Sequence, residues 1–444
     1  MVSAKKIATC IALTASVVVG TVSAAVGTTQ SSRGPHWPTF PAFTKHVTLT
    51  WWSWISDTAP LITAFEKAYP TIHIVHYQVP GSEYPKLTAV LKAGSGAPDV
   101  AQVEYQYLPQ YVATGDLVNL STYDQQYMQY YPASVKSMVT FNAKLYAMPE
   151  DIGPMGLMVQ PAVFQKLHLA VPTTWAQYAT DAAAIHKADP SVSMTFFSPN
   201  DGEIFTGLLW QAGATPFQQT SSGAWKIDFT SPTAEKVAQY WGTLIKSGAI
   251  DIINDYTPQW GTDIAKGNFA SIIGAAWGPE YVLSPYLTKA QDNVWKVVPL
   301  PQWDPAQPAD ANDGGESMVV TSQSKNPQAA ALFAAWLGVA QQALPIQTTA
   351  GGLFMSTVNE QYVSAFKVPE PVLGGQDSNL VFEKAVPEIG SAFQWSPWTG
   401  FVYGQMQVDL GKAAAGQESW GAALAALQQS VVQFAKTEGY TVQG

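Results

Sequence analysis

Three tryptophans, Trp51, Trp52 and Trp54, crowd into VTLTWWSWISD (47–57), where a strand gives way to a helix. An indole is broad, flat and largely apolar with a single N–H, so it stacks on the C–H face of a sugar ring while polar neighbours hold the hydroxyls. Loop residues on rigid scaffolds carry function disproportionately, which marks Trp52 and Trp54 as ligand candidates and leaves Trp51 as core. Trp277, at a strand end before Gly278 and Pro279, is a candidate of the same kind, as are Trp395 and Trp398 in FQWSPWTGF. Trp175, Trp210, Trp241 and Trp336 fall among apolar residues at helical spacing and read as packing.

Acidic residues supply the second set. Glu104 and Tyr105 follow the strand DVAQV directly. A carboxylate there accepts hydrogen bonds from ligand hydroxyls, or else serves as an N-terminal helix acid favoured by the dipole. Glu150 and Asp151 invite a glycosidase reading, but that chemistry needs carboxyls facing each other roughly 5 to 10 Å apart. Neighbours on a strand point to opposite sides, so one of them, Asp151, is expected to line a cleft instead. Glu316 stands beside Gly314 and Gly315, which let backbone approach a ligand closely.

Other chemistries find no pattern. His73 and His76 fall on opposite faces of a strand, and no further histidine or cysteine gives a metal-ligand spacing. Neither a G-x-S-x-G elbow nor a phosphate-binding glycine loop occurs. No metal, cofactor or catalytic residue is expected.

The elements that would position these residues alternate. A strand ending at Trp52 leads through a Ser56/Asp57/Thr58 cap and Pro60 into a helix bearing Leu61 and Phe65; TIHIVHYQV is the next strand, Leu87 and Leu91 mark a helix, and Asp99 to Val103 form a third strand. Similar alternation follows GLMVQ, with helices from Trp175 to His186 and from Pro232 to Ser247, a strand in FASIIGAAW, a strand in ESMVVTS, and helices after Asn326 and Gly421. Strands separated by helices predict an α/β fold with mostly parallel, doubly wound sheets.

Composition narrows the partner. The 444 residues suffice for two lobes, and only 12% are charged while tryptophan counts 16. Arg33 is the one arginine, and the net charge is −10. Without guanidinium forks or a basic field, nucleic acid and anionic ligands are disfavoured. Residues 1–25 combine Lys5 and Lys6, an apolar run and Val22-Ser23-Ala24, as in a signal peptide or an uncleaved anchor. Residues 26–44 read as a proline-rich linker, with the fold starting near Lys45. Cys10 is the only cysteine, so the exported part holds no disulfide. A charge-poor exported surface keeps its character when carboxylates protonate, and folding down to about pH 3 is expected.

Several segments together carry a resemblance: LITAFEKAYPTIHI, YPKLTAVLKAGSGAPDVAQVE, YVATGDLVNLS, FNAKLYAMP, FQKLHLAVPTTWAQY, IAKGNFASIIGAAWGPE and GGESMVVTSQSKNPQAAALFAAWL. In this order and spacing, over about residues 45 to 435, the chain resembles the extracellular solute-binding proteins of bacterial ABC sugar importers, which include maltodextrin-binding proteins. It departs at Val159, Gln160 and Pro161, where that family usually has tyrosine and asparagine, and it lacks the customary lipobox.

The resemblance implies a two-lobed periplasmic-binding-protein-like (type II) fold with a ligand cleft between lobes. The first lobe would take 45–150 and 313–360, the second 151–312, and 361–444 would be a helical part mainly in the second. Trp54, Glu104, Trp277, Gly314, Gly315 and Trp398 match positions that line the cleft in that family. The function implied is capture of a neutral sugar or oligosaccharide by a monomer, with hinge closure and delivery to an ABC permease. A secreted carbohydrate-active enzyme, or a binding protein for a polyol or glycerol-phosphate-type solute, is the alternative.

Overall fold

Alternation along VTLTWWS makes a strand, β1 (Val47–Ser53), which buries Leu49, Trp51 and Ser53 and leaves Thr50 and Trp52 partly exposed. A computed structural model describes residues 36–81, 84–291 and 294–443; the expectations for the leader, Cys10 and Arg33 lie outside them. Helix α1 (Ala59–Ala68) opens with Pro60 in its first turn and buries Leu61 and Phe65. The expected side-chain cap does not form. Thr58 occupies the N-cap position, but its hydroxyl is 2.9 Å from Nδ1 of His76 rather than bonded to the helix backbone. β2 (Ile72–Gln78) pairs parallel with β1, and after α2 (Tyr84–Lys92) β3 (Val100–Glu104) joins its other side, also parallel.

β4 (Ala147–Pro149) precedes a crossing to a second sheet, which the chain enters as β5 (Met155–Val159). Among the helices that come next are α3 (Trp175–Ala188), α4 (Gly202–Gln211) and α5 (Pro232–Lys246). After them stand β6 (Ser271–Ala275), β7 (Lys296–Pro299) and, back in the first sheet, β8 (Glu316–Val320). The first sheet has the order β2-β1-β3-β8-β4, with β8 antiparallel to both neighbours and the other four strands running one way. That agrees with a mostly parallel sheet. The second sheet, β6-β5-β7, does not, because β5 is antiparallel to both partners. The helical segment between β5 and β6 returns the chain in the opposite sense.

Helix α6 (Pro327–Val339) is buried from Ala329 to Val339, as its almost continuous apolar run requires. Its Phe333 meets Trp51 edge-on at 5.2 Å, and Phe65 packs on both Phe333 and Trp336. Two late helices, α7 (Thr399–Ala414) and α8 (Trp420–Thr437), pack together with Phe401 stacked on Phe434 at 3.9 Å. The start of the fold is corrected. Trp37, Phe40 and Phe43, read from sequence as linker, pack against the core, and Thr71 Oγ1 donates to Phe43 O at 2.9 Å. Among the described residues no helix is long and apolar enough to cross a membrane.

Three stretches of chain, 150–154, 311–315 and 353–357, run together between the sheets. Asp151 bridges Met355 and Pro154 bridges Asn312. Backbone bonds lace the stretches: Ile152 N to Phe354 O at 2.9 Å, Ser356 N to Glu150 O at 3.0 Å, and Asp313 N to Gly153 O at 2.8 Å. Gly153 is obligatory, since a Cβ there would stand 1.9 Å from Asp313 O.

Candidate functional site

Parallel strands end together, and the loops that leave their carboxyl ends share one rim. Trp54 comes just after β1, and Glu104 closes β3. Gln102 of β3 ties them down: its Oε1 accepts from Trp54 N at 3.0 Å while its Nε2 donates to buried Glu150 at 2.7 Å. Tyr84, at the start of α2, donates its hydroxyl to Glu104 Oε2 at 2.6 Å and packs edge-on against the Trp54 ring.

The returning crossing adds the next wall. Glu316, first in β8, stands directly opposite Glu104 in the strand register, so both side chains emerge on the same face. Its N–H donates to Asp151 Oδ1 at 2.8 Å. Gly314 and Gly315 both adopt positive φ, 73° and 85°, and a Cβ on Gly315 would stand 2.9 Å from Ile152 Cα. This close passage lets Trp277, just beyond β6, place its indole N–H 2.9 Å from the carbonyl of Asp313.

Helix α4 closes the far side. Asp201 caps it, accepting from the N–H groups of Glu203 and Ile204 at 3.0 and 3.1 Å, and Glu203 accepts from Gln106 of the first sheet's rim. Asp255 and Tyr256, a residue held at φ 55°, complete it. The result is a cavity of about 720 Å³, within the range usual for ligand sites. Its lining joins Trp54, Tyr256, Trp277 and Tyr281 with seven carboxyl residues, Glu104, Asp151, Asp201, Glu203, Asp255, Asp313 and Glu316. No lysine, arginine or histidine is among its described lining residues. A void of about 40 Å³ behind it shares Asp201, Asp255, Tyr256 and Trp277 and is too small for a sugar.

So many acids in one hollow suppress each other's ionisation. Burial raises Glu104 to about 7, with Asp151 adding and the bonds from Tyr84 and Gln106 opposing. Asp313 is likewise held at about 7 by burial, then by Glu104 and Asp255. Burial and the neighbouring acids put Asp201, Glu203 and Glu316 well above the usual carboxylate range.

Of the residues expected from sequence, Trp54, Glu104, Asp151, Trp277, Gly314, Gly315 and Glu316 line this cavity. Four do not. Trp52 borders a separate opening with Thr50 and Tyr77, the Lys86 ammonium 4.9 Å from its ring centre. Tyr105 is fully buried and donates to Asp151 O at 2.8 Å, so it braces the wall from behind. Trp398 is sealed among Phe217, Trp225 and Tyr440 at ring distances of 6.2, 5.4 and 4.8 Å. Trp395, 7% exposed, packs on Trp210 and Phe393 and borders a different opening of about 550 Å³. The serines and prolines around both tryptophans mark a loop, but that loop is folded inward. Sequence reading passes over Asp201, Glu203, Asp255, Asp313 and Tyr256. The signal is present in Asp201-Gly202-Glu203, an acid cap at a helix start facing the rim.

Residues 52–343, most of the chain, match the family model described as bacterial extracellular solute-binding protein. The chain belongs to that family. Among relatives of this solute-binding protein is the arabinooligosaccharide-binding protein of Bacillus subtilis strain 168, 24% identical over 303 residues, or 62% of this chain. The match spans 64% of that relative, slightly under two thirds of its length. A structure similar to this solute-binding protein is the ABC transporter associated binding protein from B. animalis subsp. lactis Bl-04 in complex with beta-1,6-galactobiose. It is 26% identical, with a TM-score of 0.77, over 90% of this chain and 100% of that one. The galacto-N-biose-/lacto-N-biose I-binding protein from Bifidobacterium longum, in complex with lacto-N-biose, has 22% identity and a TM-score of 0.79 over the same shares, which is a likeness of fold. These neighbours are two-lobed sugar-binding proteins, and the chain has their two-lobed α/β fold with a cleft between lobes.

Proposed function

We propose that this chain is the extracytoplasmic binding component of an ABC importer and holds a sugar or oligosaccharide in the 720 Å³ cavity without transforming it. One observation carries the reading: Trp54, from the rim of the first sheet, and Trp277, from the rim of the second, line the same cavity. Flat rings from two bodies can sandwich a sugar, and carboxyl oxygens accept from its hydroxyls. The beta-1,6-galactobiose held by one relative and the arabinooligosaccharide in the name of another support the same class of ligand.

Contacts made to both lobes at once would favour the closed arrangement, with the three laced crossings as hinge. Residues 45–150 and 313–360 would move as one lobe against 151–312. The partner would be a permease, and the chain would act as a secreted or membrane-tethered monomer. Calorimetry across a panel of mono- and oligosaccharides, read with tryptophan fluorescence, tests the proposal. Binding of some saccharide with a change in indole emission is expected; silence across the panel, while another solute class binds, overturns it.

A second reading, a secreted carbohydrate-active enzyme, draws on carboxyls that reach the cavity from different elements, Glu104 from β3 and Glu203 from α4, because glycoside cleavage uses carboxyls that flank its substrate.

A further inference from the structure

The near absence of arginine disfavours anionic ligands but says nothing of cationic ones. Here the cavity adds two independent facts. Its described lining carries carboxyls and no basic side chain, and it holds an acid in want of a partner: Asp313, 2% exposed, has no hydrogen-bond partner at Oδ2 among the described residues. A buried carboxylate oxygen without a donor is costly. A neutral hydroxyl brings one donor and leaves the charge uncompensated. An ammonium brings up to three donors and the opposite charge, and aromatic faces such as Tyr256 and Trp277 attract it through their quadrupoles.

We propose that the saccharide this cleft prefers carries a protonated amine, an amino sugar or amino-substituted oligosaccharide, whose ammonium is received by Asp313 among the carboxyls and aromatic rings of the cavity. This rests on the sugar reading above and narrows it. It replaces the expectation of a neutral ligand, which composition alone suggests and which takes no account of where the acids converge. Asp313 would act as the specificity-determining residue, the carboxyls of Asp201, Glu203 and Asp255 would accept from the ammonium and the hydroxyls beside it, and Trp54 would stack on the ring.

Matched disaccharides provide the test. Across a panel of linkages, calorimetry on the full chain at neutral pH would compare each parent sugar, its 2-amino-2-deoxy form and the N-acetylated form, which keeps the bulk and loses the charge. For the linkage that binds, the amine is expected to bind roughly tenfold or more tighter than both others. Asp313→Asn, its fold checked by circular dichroism, should abolish that preference, so that the amine binds no more tightly than its parent. A parent sugar that binds as tightly as its amine, or more tightly as the medium is acidified, overturns this inference and leaves the sugar reading standing. If no saccharide binds, amino or neutral, the sugar reading itself fails. The N-acetyl comparison needs no mutant, so the outcome does not hang on the folding of Asp313→Asn.

Discussion

The indole N–H of Trp277 donates to the main-chain carbonyl of Asp313 at 2.9 Å, fastening a ring from the second sheet's rim to the crossing that leads back into the first. The bond fixes the ring without using its faces, and it holds the backbone of an acid whose buried Oδ2 lacks a donor among the described residues. Ring and acid are therefore set as a unit.

Removing either cavity indole should weaken ligand binding with little change in fold. Trp54→Ala and Trp277→Ala are each expected to lower affinity on the order of tenfold or more, about 1.4 kcal/mol, in calorimetry with the best ligand. Trp277→Phe should recover part of the loss, since it keeps an aromatic face and gives up the bond to Asp313.

Trp398→Ala should do the reverse. Its ring is sealed among Phe217, Trp225 and Tyr440, so truncation should cost about 3 to 5 kcal/mol of stability in denaturant melts while the affinity of the folded protein stays within roughly twofold of wild type. A loss of affinity without loss of stability would return Trp398 to the site.

Gly315→Ala places a side chain at φ 85° with its Cβ 2.9 Å from Ile152 Cα, where backbone cannot give way cheaply. A cost of about 1 to 3 kcal/mol or more is expected, read as a lower denaturant midpoint. The variant should also disturb binding, because the glycine belongs to the cavity wall.

Stability should vary with pH in an unusual direction. Glu104 and Asp313 have pKa values raised to about 7, so the folded state holds their protons more tightly than the unfolded chain does. The stability they contribute is present below their unfolded pKa values near 4 and is lost as pH rises through about 7. Asp151, Asp201, Glu203 and Glu316 are raised as well and act in the same sense. The unliganded protein should therefore melt a few degrees higher near pH 4.5 than near pH 7.5, and Glu104→Gln should flatten the profile. Cooperative unfolding on going from neutral pH to about pH 3 would contradict this and the reading of the charge-poor surface.

If the chain only binds, incubation with any saccharide it binds should release no new reducing ends over many hours. Turnover abolished by Glu104→Gln would instead establish the hydrolytic reading.

Much of the frame is legible in the sequence because its signals are local. Alternation in VTLTWWS, Pro60 at a helix start and the apolar run after Asn326 each act within one element, and each element forms where it is expected. The α7 helix is not legible: Gly400, Gly404 and Gly411 weaken helical propensity, and its buried Val402, Met406 and Leu410 show their spacing only once a partner helix is known. The cavity is half legible. Trp54, Glu104 and Trp277 come at or after strand ends and so announce themselves, but the convergence of Asp201, Asp255 and Asp313 on Glu104 is a product of topology that no local pattern encodes.

β8 sits between β3 and β4, and Ser317 of β8 bonds to Val103 of β3 across 214 residues of chain. Until that late strand arrives, β3 and β4 each present an unsatisfied edge, the kind of template on which nascent chains cross-pair and aggregate. Closure over so long a loop should make final assembly slow, and a chain truncated before Glu316 should stay soluble only with a chaperone to shield the gap.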